Sequence, residues 1–296
     1  MGLKVENVSK HFEKKLVVDK ISFEINKPGV FGLLGTNGAG KSTTIRMILG
    51  IINKDSGSIT WNDLPVERKN VNFGYLPEER GIYPKTNIYE QLLYFAELRG
   101  MKKDAAVKEI DYWLKRLKVL EYKGMIAEKL SKGNQQKVQF ITALINDPEL
   151  IVLDEPFSGL DPVNTELLKE VILELVDKGK YIIMSSHQMT SIEEFCSDVV
   201  ILNKGKTVLK GNLQEIKDSY SANKVEVITK QDIKKIIDKN KLVIENNIDC
   251  KYEIKIESEK QAKKLLDDLI SNNVDIIKFE VKKPSLNEIF IEKVGE

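Results

Sequence analysis

Nine consecutive residues have the pattern that binds the phosphates of a nucleoside triphosphate. The pattern is G-x-x-x-x-G-K-S-T, and it consists of Gly35, Thr36, Asn37, Gly38, Ala39, Gly40, Lys41, Ser42 and Thr43. Such a loop offers successive backbone N–H groups to the phosphates, while its lysine reaches the β- and γ-phosphates and its serine hydroxyl ligates Mg²⁺. A Gly-rich turn that binds nothing could have the same sequence pattern. The elements on either side of the loop distinguish the two alternatives.

The residues on either side of this loop predict the strand and the helix that it requires. Residues 30–34 form a short apolar run, as in a buried parallel strand, and residues 42–49 have apolar side chains at helical spacing. The loop then lies at a helix N-terminus, where the helix dipole adds roughly half a positive charge. This placement favours a phosphate-binding loop, and we expect the chain to bind a nucleoside triphosphate.

Two further predicted strands end in side chains that suit phosphate chemistry. Residues 150–153 are apolar and lead to Asp154 and Glu155, as in a buried parallel strand whose tip faces a crevice. We expect Asp154 to hold the hydration shell of Mg²⁺ and Glu155 to orient or deprotonate the attacking water. Two solvated turn carboxylates are the alternative, which a P-loop in the same chain disfavours. A second buried run, residues 181–184, leads to His187, which could contact a γ-phosphate.

The segments between these motifs predict a pair of antiparallel strands and a helical insertion. Residues 3–8 and 21–25 alternate like antiparallel strands, and residues 86–146 have the three- and four-residue spacing of a mainly helical insertion. Phe12 lies between the two strands, and its flat ring could stack on an adenine, although the residue alone favours a packing role. Ser131 is placed to cap the last helix of the insertion.

The motifs in this order resemble the ATPase cassette of ABC transporters. The resemblance rests on the phosphate loop, the helical insertion and the segments LSKGNQQ, LIVLDEP, SGLD and SSH, and it covers about residues 1–218. It implies an α/β P-loop NTPase core with an antiparallel β subdomain and a helical subdomain. It also implies that the chain binds ATP and Mg²⁺ and hydrolyses ATP, with Lys41, Glu155 and His187 as catalytic residues.

The resemblance further implies roles for residues that spacing alone leaves open. Phe12 takes the position of the adenine-stacking aromatic, which reverses the packing interpretation. Ser131 and Gly133 fall on the signature motif, which in this family touches the γ-phosphate held by the opposite subunit. Asp161 falls on the loop that joins the two nucleotide sites, and His187 on the switch histidine.

Two motifs depart from the usual pattern of the family. The signature LSGGQ is here LSKGN, which keeps Ser131 and Gly133. The glutamine of the Q-loop is replaced by Glu78, which we expect to ligate Mg²⁺ while adding a charge. The competing interpretation is that Glu78 and Glu79 are two solvated loop residues. This variant is similar to the sodium, drug and antibiotic efflux subfamily of ABC ATPases.

Residues 219–296 predict a separate, small α+β domain. Their order of elements is β-α-β-β-α-β, which is typical of a ferredoxin-like domain, and a last helix capped by Ser285 follows. The segment contains no motif with chemistry, so we expect a regulatory or dimer-supporting role. Its ending resembles the C-terminal extension of the same efflux subfamily.

Composition and motifs together predict the partners. The formal net charge of +1 gives no general attraction to nucleic acid, and no apolar run approaches the ~18 residues of a membrane span. The two cysteines are far apart in the sequence, which favours buried free thiols over a disulfide.

We therefore expect a cytoplasmic protein that is peripheral on the inner face of the cell membrane. Its expected partners are a second ATPase subunit, identical or a close paralogue, and a separate integral membrane permease that docks at the helical insertion and the Glu78 loop. The subfamily resemblance implies export.

Two other classes of function remain open at this stage. A soluble ABC protein that acts on ribosomes or DNA usually has two cassettes in one chain or a long coiled-coil insertion, and this sequence has neither. A nucleotide-dependent regulatory module without turnover is the third possibility. The presence of Glu155 and His187 speaks against it.

Overall fold

The computed structural model describes residues 2–67, 69–79 and 81–295. Contacts between residues divide the chain into two compact units, Met1–Gly211 and Asn212–Glu296. The boundary expected from the sequence lies seven residues later, after Asp218, so the short helix Leu213–Asp218 groups with the second unit. None of the described helices is long and apolar enough to cross a bilayer.

The first unit contains two sheets and a helical insertion. Its strands are β1 (Leu3–Phe12), β2 (Lys15–Ile25), β3 (Gly29–Gly35), β4 (Ser56–Trp61), β5 (Leu64–Pro65), β6 (Phe73–Leu76), β7 (Leu150–Asp154), β8 (Tyr181–Ser186), β9 (Cys196–Asn203) and β10 (Lys206–Asn212). Its helices are α1 (Lys41–Ile48), α2 (Ile88–Leu98), α3 (Lys103–Arg116), α4 (Lys132–Leu144), α5 (Pro162–Asp177) and α6 (Thr190–Glu193).

The central sheet brings the functional strand ends to one edge. Its strand order is β10-β9-β3-β8-β7-β6, and the pairs β3–β8, β3–β9, β6–β7 and β7–β8 are parallel. Parallel strands covered on both faces need continuous apolar runs, and every residue of β7 is buried. Because parallel strands share a direction, the loops that follow β3, β6, β7 and β8 all emerge at the same edge.

The antiparallel sheet has the order β2-β1-β4-β5. The two predicted strands pair as expected, but the hairpin is longer than the sequence suggested. Phe12 pairs with Lys15, so residues 9–12 belong to β1 rather than to a connection between strands. The rings of Phe23 and Phe31 stack with centroids 4.9 Å apart and join this sheet to the central one.

The helical insertion consists of α2, α3 and α4, with 3₁₀ turns at Leu120–Tyr122 and Ala127–Lys129. Asn87 begins α2, because its side chain accepts a hydrogen bond from the backbone N–H of Tyr89 at 2.8 Å. The insertion is tied to the core through Arg116 on α3, whose Nε donates to both carboxylate oxygens of Glu174 on α5 at 3.1 and 3.2 Å.

The second unit has the predicted order of elements. It comprises α7 (Leu213–Asp218), β11 (Lys224–Thr229), α8 (Lys234–Lys239), β12 (Val243–Ile248), β13 (Lys251–Lys255), α9 (Glu259–Ser271), β14 (Ile276–Lys282) and α10 (Leu286–Gly295). The sheet order is β12-β13-β11-β14 with antiparallel pairing, the arrangement of a ferredoxin-like α+β domain. The predicted cap of the last helix is confirmed, since Ser285 Oγ accepts from the Glu288 N–H while Glu288 Oε2 accepts from the Ser285 N–H.

A buried charge lies on β11, one of the two interior strands of this sheet. Glu226 on β11 is buried, and its carboxylate accepts hydrogen bonds from the ammonium groups of Lys278 and Lys282 on the neighbouring strand. These bonds, first from Lys278 and then from Lys282, lower the pKa of Glu226 to about 2. The carboxylate therefore stabilises the folded unit only while it is ionised.

Both cysteines were predicted to be buried free thiols, and the prediction of burial is confirmed for one of them. Cys196 is buried and Cys250 is partly exposed, and both are free thiols. Burial raises the pKa of the Cys196 thiol, which makes it an inert core residue.

Candidate nucleotide-binding and catalytic site

The nine-residue loop connects β3 to α1, as the sequence predicted. Its three glycines, Gly35, Gly38 and Gly40, all have positive φ, and two of them show most clearly why the backbone needs glycine. Gly35 has a φ of 148°, and an added Cβ would lie 2.3 Å from the carbonyl oxygen of Leu202. Gly40 has a φ of 102° and immediately precedes the helix, where it leaves the first N–H groups of α1 without a side-chain cap. Uncapped N–H groups at a helix start are suitable partners for phosphate oxygens.

Lys41 is held inside this loop rather than in solvent. Its Nζ donates to the carbonyl oxygens of Gly35 at 2.9 Å and Thr36 at 3.3 Å. The same nitrogen lies 3.5 Å from Glu155 Oε1, and the two side chains are only 6% and 8% exposed. The ammonium group is thus already at the loop, next to the carboxylate that was predicted to handle the attacking water.

Asp154 at the end of β7 is almost fully buried, with 1% of its surface exposed. Its Oδ1 accepts a hydrogen bond from Ser185 Oγ at 2.5 Å, whereas its Oδ2 has no hydrogen-bond partner among the described residues. Burial raises the pKa of Asp154, and the hydroxyls of Ser185 and Ser42 act in the opposite direction.

The arrangement around Asp154 fits a magnesium ion. A buried carboxylate oxygen without a partner, with the Ser42 hydroxyl close by, offers the hard oxygen ligands that Mg²⁺ takes. The described residues contain no cluster of three or more His, Cys, Asp or Glu side chains that could hold a metal by themselves. Magnesium sites of this type are completed by phosphate and water oxygens.

Glu155 follows directly and has a left-handed backbone conformation, with a φ of 51°. Its N–H donates to Ser185 Oγ at 3.0 Å, and its Oε1 lies 2.9 Å from His187 Nδ1. The tautomer with a proton on Nδ1 donates to this carboxylate. The structure therefore brings together Lys41, Glu155 and His187, which the sequence assigned to catalysis from three separate segments.

The phosphate loop opens onto a cleft of about 230 Å³. Its lining comprises Val17, residues 37–43 of the loop, Glu78 and Glu155. Glu78 thus reaches the cleft from the loop after β6, although its side chain is exposed and no hydrogen bond fixes it to Asp154. The backbone of this loop is held by Gln139 of α4, whose Nε2 donates to the carbonyl oxygens of Glu79 at 2.9 Å and Pro77 at 3.3 Å.

Six predicted ATP-contacting residues do not line this cleft: Gly35 and Thr36 at the start of the phosphate loop, and Phe12, Ser131, Gly133 and Asp161 outside it. Phe12 is 48% exposed at the end of β1, with the ammonium group of Lys10 5.7 Å from the ring centroid. Ser131 begins α4, and its hydroxyl accepts from the Asn134 N–H at 3.3 Å, so its predicted capping role is confirmed.

Asp161 and Gly133 both lie next to Asn164, a residue that the sequence analysis missed. Asp161 caps α5 by accepting from the backbone N–H of Asn164 at 2.9 Å, and it also accepts from Asn164 Nδ2 at 2.6 Å. These bonds lower the pKa of Asp161. An added Cβ at Gly133 would lie 3.3 Å from the same Nδ2. Asn164 therefore connects the start of α4 with the start of α5.

A second cleft, of about 450 Å³, lies beside the first and shares Glu155 with it. It is lined by residues 156–160, which follow the carboxylate, and by Ser186, His187 and Gln188. Glu155 is therefore accessible from both clefts, whereas His187 lines only the second one, on the side of the segment that leads to Asp161.

Comparison with known proteins agrees with this geometry. A family model described as "ABC transporter" matches residues 18–158, and a model of the C-terminal domain of DrrA1-3-like ATP-binding proteins matches residues 211–294. The ABC transporter ATP-binding protein YhaQ of Bacillus subtilis is 45% identical over 99% of this chain and 98% of its own length.

Two further relatives extend the comparison. The linearmycin resistance ATP-binding protein LnrL of Bacillus subtilis is 29% identical over 99% of this chain and 98% of its own length. A solved ATP-binding subunit of an ABC transporter superposes with a TM-score of 0.69 and 30% identity, covering 74% of this chain and 93% of that structure. With its phosphate loop, paired carboxylates and full-length relatives in agreement, the chain belongs to the ATP-binding proteins of ABC transporters.

Proposed function

We propose that this chain is the ATPase subunit of an exporter, in which two such subunits close around two ATP molecules and drive a separate permease. Members of the family bind and hydrolyse ATP. Turnover by this chain is supported above all by Glu155, a buried carboxylate 2.9 Å from His187 Nδ1 and 3.5 Å from Lys41 Nζ.

The chemistry follows from these positions. The loop amides and Lys41 bind the β- and γ-phosphates and offset their charge. Glu155 orients the attacking water and accepts its proton at a carboxylate oxygen, while His187 holds that carboxylate and faces the γ-phosphate.

Magnesium completes this site in our proposal. When bound, Mg²⁺ neutralises charge on the phosphate oxygens. Ser42 and the free Oδ2 of Asp154 would hold it, with Glu78 contributing from the rim of the cleft.

A second subunit would supply the remaining contacts. Ser131 and Gly133 lie at the start of α4 and do not line the cleft that their own P-loop forms, which supports a role toward the γ-phosphate of the opposite subunit. Asp161 would join the two nucleotide sites, and the exposed ring of Phe12 would stack on the adenine. The partner is a second copy of this chain or a close paralogue.

The surface proposed for the permease lies on the helical insertion and on the segment between β6 and α2 that leads into it. Tyr83, Tyr94 and Leu98 are each more than half exposed. The Tyr83 ring stacks on Phe95 with a centroid distance of 6.0 Å, and the Tyr94 ring meets the same Phe95 at 5.7 Å. Exposed aromatic side chains that pack against another aromatic ring are typical of protein interfaces. Docking there would place the ATPase on the inner face of the membrane.

Export is supported by a relative. The full-length similarity to a linearmycin resistance protein favours removal of a compound from the cell. Residues 219–296 would act as an accessory domain that supports the dimer or regulates it, since no phosphate-handling residue lies there.

The proposal is tested by isolating the tagged protein from detergent-solubilised membranes. The expected result is a complex with integral membrane proteins in a fixed ratio, whose ATPase rate differs from that of the isolated chain. A Tyr83→Ala, Tyr94→Ala double variant should lose the membrane partner and keep its basal ATPase activity. Recovery of the wild-type chain with ribosomes or DNA, and without a membrane protein, would contradict the assignment.

A further inference from the structure

Ser185 is a fully buried polar residue near the C-terminal end of β8, with 0% of its surface exposed. It lies on β8 directly opposite Asp154 on β7, because the two parallel strands pair in that register. Its sequence neighbour Ser186 has a local role instead, since Ser186 Oγ accepts from the Gln188 N–H at 2.9 Å in the turn after the strand.

The single hydroxyl of Ser185 makes two hydrogen bonds of opposite direction. It donates its proton to Asp154 Oδ1 at 2.5 Å, and it accepts the backbone N–H of Glu155 at 3.0 Å. A hydroxyl has one proton to give, so donation to Asp154 requires that this oxygen of Asp154 act as an acceptor. The pair of bonds therefore links the carboxylate of Asp154 and the backbone of Glu155 through one atom of the adjacent strand.

Each bond fixes a property that the proposed chemistry needs. The bond to Oδ1 leaves Oδ2 as the oxygen of Asp154 without a protein partner. The bond from the Glu155 N–H holds a residue whose φ of 51° is uncommon outside glycine. That backbone conformation sets the direction in which the Glu155 side chain leaves the strand, toward Lys41 Nζ and His187 Nδ1.

We propose that Ser185 is the positioning residue that aligns the metal-holding Asp154 with the catalytic Glu155. The proposal rests on the roles given to those two carboxylates above. Ser185 is fully buried, and it acts by fixing one oxygen of Asp154 and the backbone of Glu155 at the same time. Groups that orient a metal ligand in this way typically change metal affinity or activity by about 10–100-fold when they are removed.

The test compares Ser185→Ala with Ser186→Ala in the full-length chain. Nucleotide-dependent Mn²⁺ affinity is measured by electron paramagnetic resonance, ATP affinity is measured without metal, and kcat is measured separately. We expect Ser185→Ala to weaken Mn²⁺ binding by ~10-fold and lower kcat by ~10–100-fold, with ATP affinity in the absence of metal unchanged. Ser186→Ala should match the wild type in Mn²⁺ affinity and in ATP affinity, because Ser186 bonds within its own turn and to neither Asp154 nor Glu155.

Two further variants separate positioning from packing. Ser185→Thr keeps the hydroxyl and should recover most of the Mn²⁺ affinity. Ser185→Cys fills nearly the same volume with a weaker hydrogen-bonding group, and it should show the loss even if Ser185→Ala proves unstable. Wild-type Mn²⁺ affinity and kcat in a folded Ser185→Ala or Ser185→Cys variant would overturn the proposal, as would equal losses in Ser186→Ala.

The same experiments distinguish this inference from the proposed function. If Glu155→Gln abolishes hydrolysis while the folded Ser185 variants behave as the wild type, only the positioning role fails. If Glu155→Gln hydrolyses ATP normally, the role of Glu155 itself is wrong, and the positioning role fails with it.

Discussion

Replacing Glu155 by glutamine is the sharpest perturbation that this site offers. The amide is nearly isosteric and can still accept a hydrogen bond from His187 Nδ1, so the local geometry should survive. It cannot accept a proton from the attacking water. A positioned general base contributes typically ~10²–10⁴-fold in rate, which corresponds to about 3–5 kcal/mol in the activation barrier. We therefore expect kcat to fall by that factor.

Nucleotide binding should respond in the opposite sense. The Glu155 carboxylate lies 3.5 Å from Lys41 Nζ and competes with the phosphates for that ammonium group. Removing its charge leaves Lys41 free to pair with ATP, so affinity should be equal to or higher than that of the wild type. With binding intact and hydrolysis slow, the ATP-bound dimer should accumulate.

The assay combines phosphate release for kcat, titration for ATP affinity, and light scattering with and without ATP for the dimer. Glu166→Gln is the matched control, because Glu166 lines the second cleft but is exposed and paired with Lys169 at 3.1 Å. That variant should hydrolyse ATP at the wild-type rate. Wild-type turnover in Glu155→Gln would refute the role of the carboxylate as a base, and loss of ATP binding would show that it is needed to build the site.

Four further outcomes are expected. Lys41→Ala should abolish tight ATP binding in a titration, because it removes the charge that offsets the β- and γ-phosphates; unchanged affinity would contradict the P-loop assignment. A chain truncated after Asp218 should stay folded and bind ATP with altered dimer lifetime, whereas a soluble truncation without binding would show that the second unit completes the site. Glu78→Ala should raise the Mg²⁺ concentration needed for ATPase activity while Glu79→Ala does little, and identical behaviour of the two would remove the special role of Glu78. Finally, the depressed pKa of Glu226, about 2 against the usual 4.5, predicts that the second unit loses stability as the pH falls from about 4.5 toward 2. Unfolding midpoints measured across this pH range should fall much less in Glu226→Gln than in the wild type. An equal fall in both proteins would show that another group causes the loss of stability.

The local signals in this sequence were sufficient to predict the elements that handle phosphate. The loop at Gly35 to Thr43 lies between a strand and a helix, and Asp154 ends a strand that is buried throughout. These features depend on nearest neighbours along the chain: an apolar run, glycines where the backbone needs positive φ, and polar residues where the strand stops. Sequence spacing also gave the order of elements of the second unit.

Sequence alone was less accurate where a partner strand sets the length of an element. Residues 9–12 were expected to connect two strands, but they extend β1 because β2 offers pairing partners as far as Lys15. The pairing, rather than the composition of the segment, decides where the strand ends.

The contacts that orient the site were decided only by tertiary structure. Ser185 is 31 residues from Asp154, and nothing in its own segment indicates that its hydroxyl reaches two carboxylate residues. The register of β8 against β7 produces that contact. Gln139 holds the Glu79 carbonyl across 60 residues, and Asn164 joins Asp161 to the helix that begins beside Gly133. Hydrogen bonds of this kind act over about 3 Å, so they depend on how strands and helices are placed beside each other, which the local pattern of the chain does not encode.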